Sequence, residues 1–522
     1  MLRAVGMSRL VLVAVWLCVG LATAVGQPAQ GWAKTHYHWV QLVEGKQVAG
    51  QWLPGVSVRA IVDDQDGCPP LYATPEMKKE QLLFTLTERP KQGSVATGKG
   101  FAEIKVCEHL LQPEDPLLQK FTTGYLKRDK KATPVVLPDL SKGGVPLSHL
   151  ISSGCTGCRD EKEQYCSEKQ AEAEKKAKVS FPWLFGELNA RASASVGEAL
   201  PPLWIHLGDM RYSGQKHGVA DSWKNASGKL GWKEELFEPS AALMAKGFSI
   251  ILRGNHEGCF IKGSPWNKSD WEDRGEGWFY FFGQGKQQCS SLIQSNDMAP
   301  PFAMDAVVYG GSVGQPVVTR KSLRMVLLDV VRTGDNRRDK DPKESEKLYK
   351  NQFDFVAKHL LAAERPAWIF QHIPAYELNV KKGKLREDEV MIQGLQHSGL
   401  QADLAKVAVV VSAHTHQFNL IQADAQPTQI IAGSGGVALE GEPGSGCEMA
   451  GKGGLFGMQS VHFGYLHARF AVSGAQVQAS YEVPLYKPEW GALQEARTVT
   501  CTGEGDRLFQ PICAQKIKNA CK

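Results

Sequence analysis

The chain has 522 residues, of which 43% are hydrophobic and 22% charged, with a formal net charge of +5. That length leaves room for one large α/β domain and a smaller companion, and the apolar content is ordinary for a globular protein. The positive excess, +3 without Arg3 and Arg9, is slight for so long a chain and gives no ground for a nucleic-acid or membrane-surface partner.

Arg3 and Arg9 precede an apolar segment, Leu10 to Leu21, and Ala22-Thr23-Ala24 supplies the small-x-small pattern of a cleavage site. Residues 1–24 are therefore predicted to be a signal peptide, and the protein secreted or periplasmic. The run falls short of the ~20 apolar residues of a spanning helix, and no later segment of the mature chain is apolar enough to span.

Of twelve cysteines, eleven follow the leader. An exported chain this rich in cysteine is predicted to carry disulfides, and an odd total leaves a thiol over. Proximity along the sequence pairs Cys68 with Cys107, Cys158 with Cys166, Cys259 with Cys289 and Cys513 with Cys521. Cys447 and Cys501 are left for each other, and Cys155 for none. Spacing alone does not fix this connectivity. Asn225-Ala226-Ser227 and Asn267-Lys268-Ser269 fit the glycosylation sequon, which matters only on a eukaryotic secretory route.

Residues 25–144 contain short alternating runs, such as Val56 to Val62 and Gln81 to Leu86, between turn-rich spacers, and are predicted to form a small β-rich domain. Asp63-Asp64-Gln65-Asp66-Gly67 reads as a solvated turn before Cys68 rather than a metal site. Residues 145–490 are predicted to form the main domain, with 491–522 a cysteine-containing tail packed on it. The main domain opens with a strand from Val145 to Ser153 that stops at Gly154-Cys155-Thr156-Gly157-Cys158-Arg159. An exposed helix from Asp160 to Ala177 and a more apolar segment from Phe181 to Ala199 lead to the strand Leu203 to Leu207. The two strands then form a parallel, right-handed βαβ unit.

Four apolar strands in this domain stop abruptly at polar, metal-capable residues. Leu203 to Leu207 runs into Gly208-Asp209-Met210-Arg211-Tyr212, and Phe248 to Arg253 into Gly254-Asn255-His256-Glu257. Trp368 to Gln371 runs into His372, and Val407 to Val411 into Ser412-Ala413-His414-Thr415-His416. Open α/β sheets bind ligands outside the carboxyl ends of their strands. A carboxylate, a phenol, an amide and several imidazoles form a mixed oxygen and nitrogen set that suits two transition metals better than one.

Met325 to Asp329 is a further strand, with Asp329 given a structural role, and Glu344 to Ala363 a helix. Gly277 to Phe282 is an aromatic core or pocket wall, since it lacks the basic interleaving of a nucleic-acid platform. Gln429 to Ala432 enters the glycine run Gly433-Ser434-Gly435-Gly436, which offers backbone N–H groups to a phosphate. The apolar run from Tyr465 to Val472 is predicted to complete a second sheet.

Gly208-Asp209-x-x-Tyr212, Gly254-Asn255-His256, Ile369-x-x-His372 and Ala413-His414-x-His416 resemble the ordered blocks of the calcineurin-like metallophosphoesterases. The tyrosine and the hydrophobic-x-x-His form resemble the purple acid phosphatase branch. The resemblance covers roughly Val145 to Tyr481 and implies a four-layered α/β/β/α sandwich beside the small N-terminal β-rich domain. It implies two transition metal ions, iron with zinc, manganese or a second iron. Asp209 bridges them, Tyr212 and His416 join the first, and Asn255, His372 and His414 complete the second. It implies hydrolysis of a small phosphorylated substrate, phosphomonoesters favoured, by a hydroxide activated between the metals, with His256 as proton donor or phosphate ligand. The diesterase of the same fold is the alternative. Where the resembling family has an aspartate in its first block, this chain has Cys155. Two readings stand open: a thiolate ligand, or a weakened first site in a non-catalytic relative that binds a phosphorylated ligand or a surface partner. Neither the substrate nor the oligomeric state is legible in the sequence.

Overall fold

The computed structural model describes residues 35–74, 81–97, 99–120, 122–128, 131–158, 183–194, 201–213, 221–224, 230–259, 274–284, 289, 299–309, 320–331, 342–361, 365–379, 384–423, 426–436, 447–452, 455–460, 463–473, 476–489, 492–504 and 508–509. The signal peptide, the Asp160 to Ala177 helix, both sequons, Cys166, Cys513, Cys521 and the side chain of Cys447 lie outside them.

Two sheets pack face to face. The first runs, edge to edge, through Phe463–Gly464, Gln476–Glu489, Leu466–Ser473, His149–Ser153, Leu203–His206, Phe248–Ile251, Thr35–Val48, Gln51–Asp63, Ile104–Leu111 and Thr87–Glu88, with Ala492–Glu504 paired to Gln476–Glu489. The second runs through Cys447–Lys452, Leu455–Ser460, Phe418–Ala423, Thr428–Ala432, Val407–Ser412, Ala367–Phe370, Arg320–Leu327, Phe302–Tyr309 and Val145–Pro146. Their inner faces share one apolar core, to which Ile205, Ile250, Val409, Val411, Trp368 and Leu466 contribute. Central strands buried on both faces read as unbroken apolar runs, which is why Phe248–Ile251 and Val407–Ser412 are legible in the sequence.

Helices cover both outer faces. Leu184, Phe185 and Leu188 of the helix Trp183–Ala194, Leu243 and Met244 of Glu238–Lys246, and Tyr280 to Phe282 of Arg274–Phe282 pack on the first sheet. Tyr349 and Phe353 of Pro342–Phe355, with Val390 to Ile392 and Leu395 of Glu389–Gln396, cover the second. The result is the four-layered α/β/β/α sandwich.

The N-terminal β-rich region is present, but its long strands do not form a sheet of their own. Thr35–Val48 pairs in parallel with Phe248–Ile251 and carries Gln51–Asp63 and Ile104–Leu111 outward as an extension of the first sheet. A separate small sheet holds Leu82–Thr85, Pro70–Tyr72, Thr123–Arg128 and Lys131–Val136.

Two strand assignments change. The run from Val145 to Ser153 is not one strand: Val145–Pro146 pairs with Phe302–Tyr309 in the second sheet, and His149–Ser153 lies in the first. Pro146 has no N–H with which to continue a ladder, and Leu147 N and Ser148 O bond to Val307 and Phe470 as the chain crosses between sheets. The run from Tyr465 to Val472 lies not in the second sheet but in the first, where Leu466–Ser473 pairs antiparallel with His149–Ser153. That latter strand is parallel to Leu203–His206, as expected of the βαβ unit.

Cys68 is bonded to Cys107 and Cys259 to Cys289, as proximity indicated. Cys158 and Cys501 are each engaged in a further disulfide, not with one another. Among the described residues Cys155 is the free, buried thiol.

Candidate metal centre

Parallel pairing brings the carboxyl ends of His149–Ser153, Leu203–His206 and Phe248–Ile251 to one rim of the first sheet, and parallel pairing of Ala367–Phe370 with Val407–Ser412 does the same in the second. Backbone hydrogen bonds then tie these loops together across the two sheets. Gly154 N donates to Ala432 O at 3.0 Å, Gly435 N to Gly154 O at 3.1 Å, and Ala413 N to His372 O at 2.8 Å. The glycine run therefore serves close packing rather than an open phosphate cradle, since the Gly435 N–H is already used. Gly208, at φ +95°, lies against the backbone of Gly254, and a side chain at Gly254 would collide with the Asp209 carboxylate.

The side chains meet at that rim. Asp209 Oδ2 accepts from the Tyr212 hydroxyl at 2.9 Å and lies 3.2 Å from His372 Nε2, 3.9 Å from His256 Nε2 and 4.0 Å from Cys155 Sγ. Tyr212 Oη is 3.3 Å from His416 Nε2. Asn255 Oδ1 sits 2.8 Å from His372 Nε2 and 2.9 Å from His414 Nδ1. All seven residues singled out as ligands are thus in one cluster, and His256 leans on it with its ring 4.3 Å from that of Tyr212. Cys155, Asp209, His414 and Ala49 are the non-glycine residues with positive φ among those described, and the first three belong to this cluster. Left-handed backbone costs a non-glycine residue about 1–3 kcal/mol, and such strain gathers where side chains must point at a ligand.

The donor set fits metal ions. Cys155, Asp209 and His372 each offer a ligand atom, all within 4.8 Å of one another and all buried. Oxygen, nitrogen and sulfur donors converging in a buried space match the preferences of zinc or iron rather than of calcium. Burial alone would raise the Asp209 carboxyl, but the imidazoles of His372, His256 and His414 hold it well below the usual carboxylate range. Burial disfavours a proton on His372, and the Asp209 charge outweighs it and raises that ring. Burial, with Asp209 second, pushes the Cys155 thiol up. The charges acting on all three groups are ones that a bound cation would rearrange.

Two carboxylates that the sequence reading missed hold this cluster in place. Glu257, buried, accepts N–H bonds from Gly254 and Asp209 at 2.9 Å, Met210 at 2.8 Å and Arg211 at 3.1 Å. Burial and the neighbouring Asp209 push its carboxyl up to about 7. Glu235 accepts from Cys158 N at 2.8 Å, Tyr212 N at 3.0 Å and Ser213 N at 3.1 Å, and burial pushes it up to about 8. His206 stays in the core, bonded to Thr156 Oγ1 at 2.8 Å. Asp329 pairs with Arg253 at 2.6 Å, the structural role expected of it.

The family of calcineurin-like phosphoesterases matches residues 185–418, a span that includes Asp209, Tyr212, Asn255, His372, His414 and His416 and begins after Cys155. No curated protein matches the chain. Among solved structures, a purple acid phosphatase isolated from yellow lupin (Lupinus luteus) seeds aligns with a TM-score of 0.49 at 11% identity, over 90% of this chain and 74% of that one. A calcineurin-like phosphoesterase from Bacillus subtilis aligns with a TM-score of 0.26 at 8% identity, over 71% and 94%. Residues 185–418, the part of this chain that is similar to the calcineurin-like phosphoesterases, carry its ordered blocks, and the ligand-type side chains of those blocks gather at one rim.

Proposed function

We propose that the protein is an exported, metal-dependent phosphoesterase of the purple acid phosphatase type, favouring small phosphomonoesters. The observation that carries this is the convergence of Asp209, Tyr212, Asn255, His372, His414 and His416 from four loops that are far apart in the sequence. Asp209 with Tyr212, His416 and Cys155 would hold one cation, and Asp209 with Asn255, His372 and His414 the other. When bound, such a pair supplies Lewis-acid charge that offsets the negative charge of a phosphoryl group and acidifies water.

The protein's own groups do the rest. The His372 Nδ1 bond to Leu207 O, 2.7 Å, fixes the orientation of that ring, as an outer partner does for a ligating imidazole. His256 N donates to Asp209 Oδ1 at 2.9 Å, so the residue is fixed by its backbone while its imidazole, 16% exposed, faces the open side. There it binds a phosphate oxygen and gives a proton to the departing alkoxide. Export is supported by the leader sequence and by the disulfides, which persist in oxidising compartments.

Hydrolysis of p-nitrophenyl phosphate and of its bis-ester by the full chain, before and after chelation, tests this reading. The expected result is turnover of both with the monoester faster, abolished by chelator and restored by added metal. Cys155 favours one competing reading, a relative that binds phosphate without turnover. The absence of hydrolysis with zinc, iron or manganese supplied would establish that reading instead.

A further inference from the structure

We infer that Cys155 is a thiolate ligand, and that it makes its half of the centre select a thiophilic divalent cation of the zinc class over hard cations such as manganese or magnesium. This rests on the metal-centre reading above and deepens it. Three observations bear on it together. Cys155 carries no disulfide, although it lies three residues from the bonded Cys158 in an otherwise cross-linked chain. Its backbone is in the left-handed region, φ +54°, as are those of Asp209 and His414 at +58° and +64°. A cysteine that merely filled space would gain nothing from that conformation, which costs a non-glycine residue about 1–3 kcal/mol. Here it turns the sulfur toward the other donors.

The spacing agrees. Ligand atoms at about 2.3 Å (sulfur) and 2.1 Å (oxygen) from a tetrahedral ion lie about 3.6 Å apart. Cys155 Sγ stands 4.0 Å from Asp209 Oδ2, a few tenths of an ångström more than that ideal. A rotation of the side chain closes such a gap without moving the backbone. An oxygen and nitrogen set discriminates weakly among first-row divalent cations, whereas one thiolate shifts preference toward zinc, cobalt and their heavier relatives. On binding, the sulfur–proton bond breaks, the proton passes to solvent and the sulfur lone pair goes to the cation.

Cobalt(II) titration of the full apo chain, watched in the near ultraviolet for thiolate-to-cobalt charge transfer and paired with metal counting, separates the outcomes. The wild type is expected to bind two cobalt ions with that band present. Cys155→Asp and Cys155→Ser are expected to lack it, and the zinc-over-manganese preference of Cys155→Asp to fall at least tenfold. Circular dichroism checks that each variant is folded. Two ions bound by the wild type with no thiolate band, or an unchanged zinc preference in Cys155→Asp, overturns the role of Cys155 while leaving the metal centre intact. Failure of both the wild type and Cys155→Asp to bind cobalt, zinc or manganese overturns the metal-centre reading as well.

Discussion

At Glu257 one buried carboxylate gathers the N–H groups of Gly254, Asp209, Met210 and Arg211, which welds the second and third motif loops to each other. Glu257→Gln keeps the shape but turns one acceptor oxygen into a donor facing backbone donors. Its metal affinity, by competition against a chromophoric chelator, is expected to fall about 10–100-fold; unchanged affinity would show that the loops hold themselves. The side chains that meet at the rim were legible because each follows a strand end in a spaced block. Glu257 and Glu235 were not, because a carboxylate that accepts backbone N–H groups has no characteristic spacing, and the one hint was the acid immediately after Asn255-His256.

His467 offers a residue-scale test against pH. Buried, with its Nε2 3.0 Å from His149 Nδ1 and with Arg469 and Arg191 near, it takes a proton in the fold only at about pH 3, against 6.5 unfolded. Glu482 faces it, 3.9 Å from its Nδ1, and is already engaged by Arg469. Between those values the unfolded chain binds the extra proton, so stability falls as pH drops below about 6.5. His467→Gln is expected to flatten the decline of the thermal midpoint between pH 7 and 4, and a slope identical to wild type would contradict the assignment.

Among the elements, the helix Arg274–Phe282 shows how the N-terminal strands support the main domain. Its terminal carbonyls have no partners within the helix. Arg89 answers Tyr280 O at 3.0 Å, Phe279 O at 3.1 Å and Gly283 O at 2.9 Å, while Arg59 answers Phe281 O and, at 2.9 Å, Gly283 O. Glu108 balances both guanidinium groups, and they hold its carboxyl down at about 2 despite the opposing effect of burial. Removing one partner of a buried charge network costs about 3–5 kcal/mol. Arg59→Met is expected to lose that much in urea unfolding, and a loss below 1 kcal/mol would show the cap to be dispensable. No sequence pattern announces this network, because Arg59, Arg89, Glu108 and Phe281 lie far apart along the chain. The central strands announced themselves through β-branched and apolar runs. Which sheet Val145-Pro146 or Leu466–Ser473 joins depended on pairing partners that no local pattern specifies.

At the scale of the molecule, the two sheets and their outer helices place five loops at one rim, and the order of the motif blocks in the sequence was enough to foresee that meeting. What it could not show was the boundary: Thr35–Val48 pairs with Phe248–Ile251, so the N-terminal region shares the sheet that carries Asp209. The claim on which everything else depends is that Asp209 joins two cations into one centre, 3.2 Å from His372 and 2.9 Å from Tyr212. Metal content of the purified chain, wild type against Asp209→Ala, measures this directly. Two ions per wild-type chain, with the variant close to none and inactive, is the predicted result; an Asp209→Ala protein that keeps both ions and its turnover would contradict it.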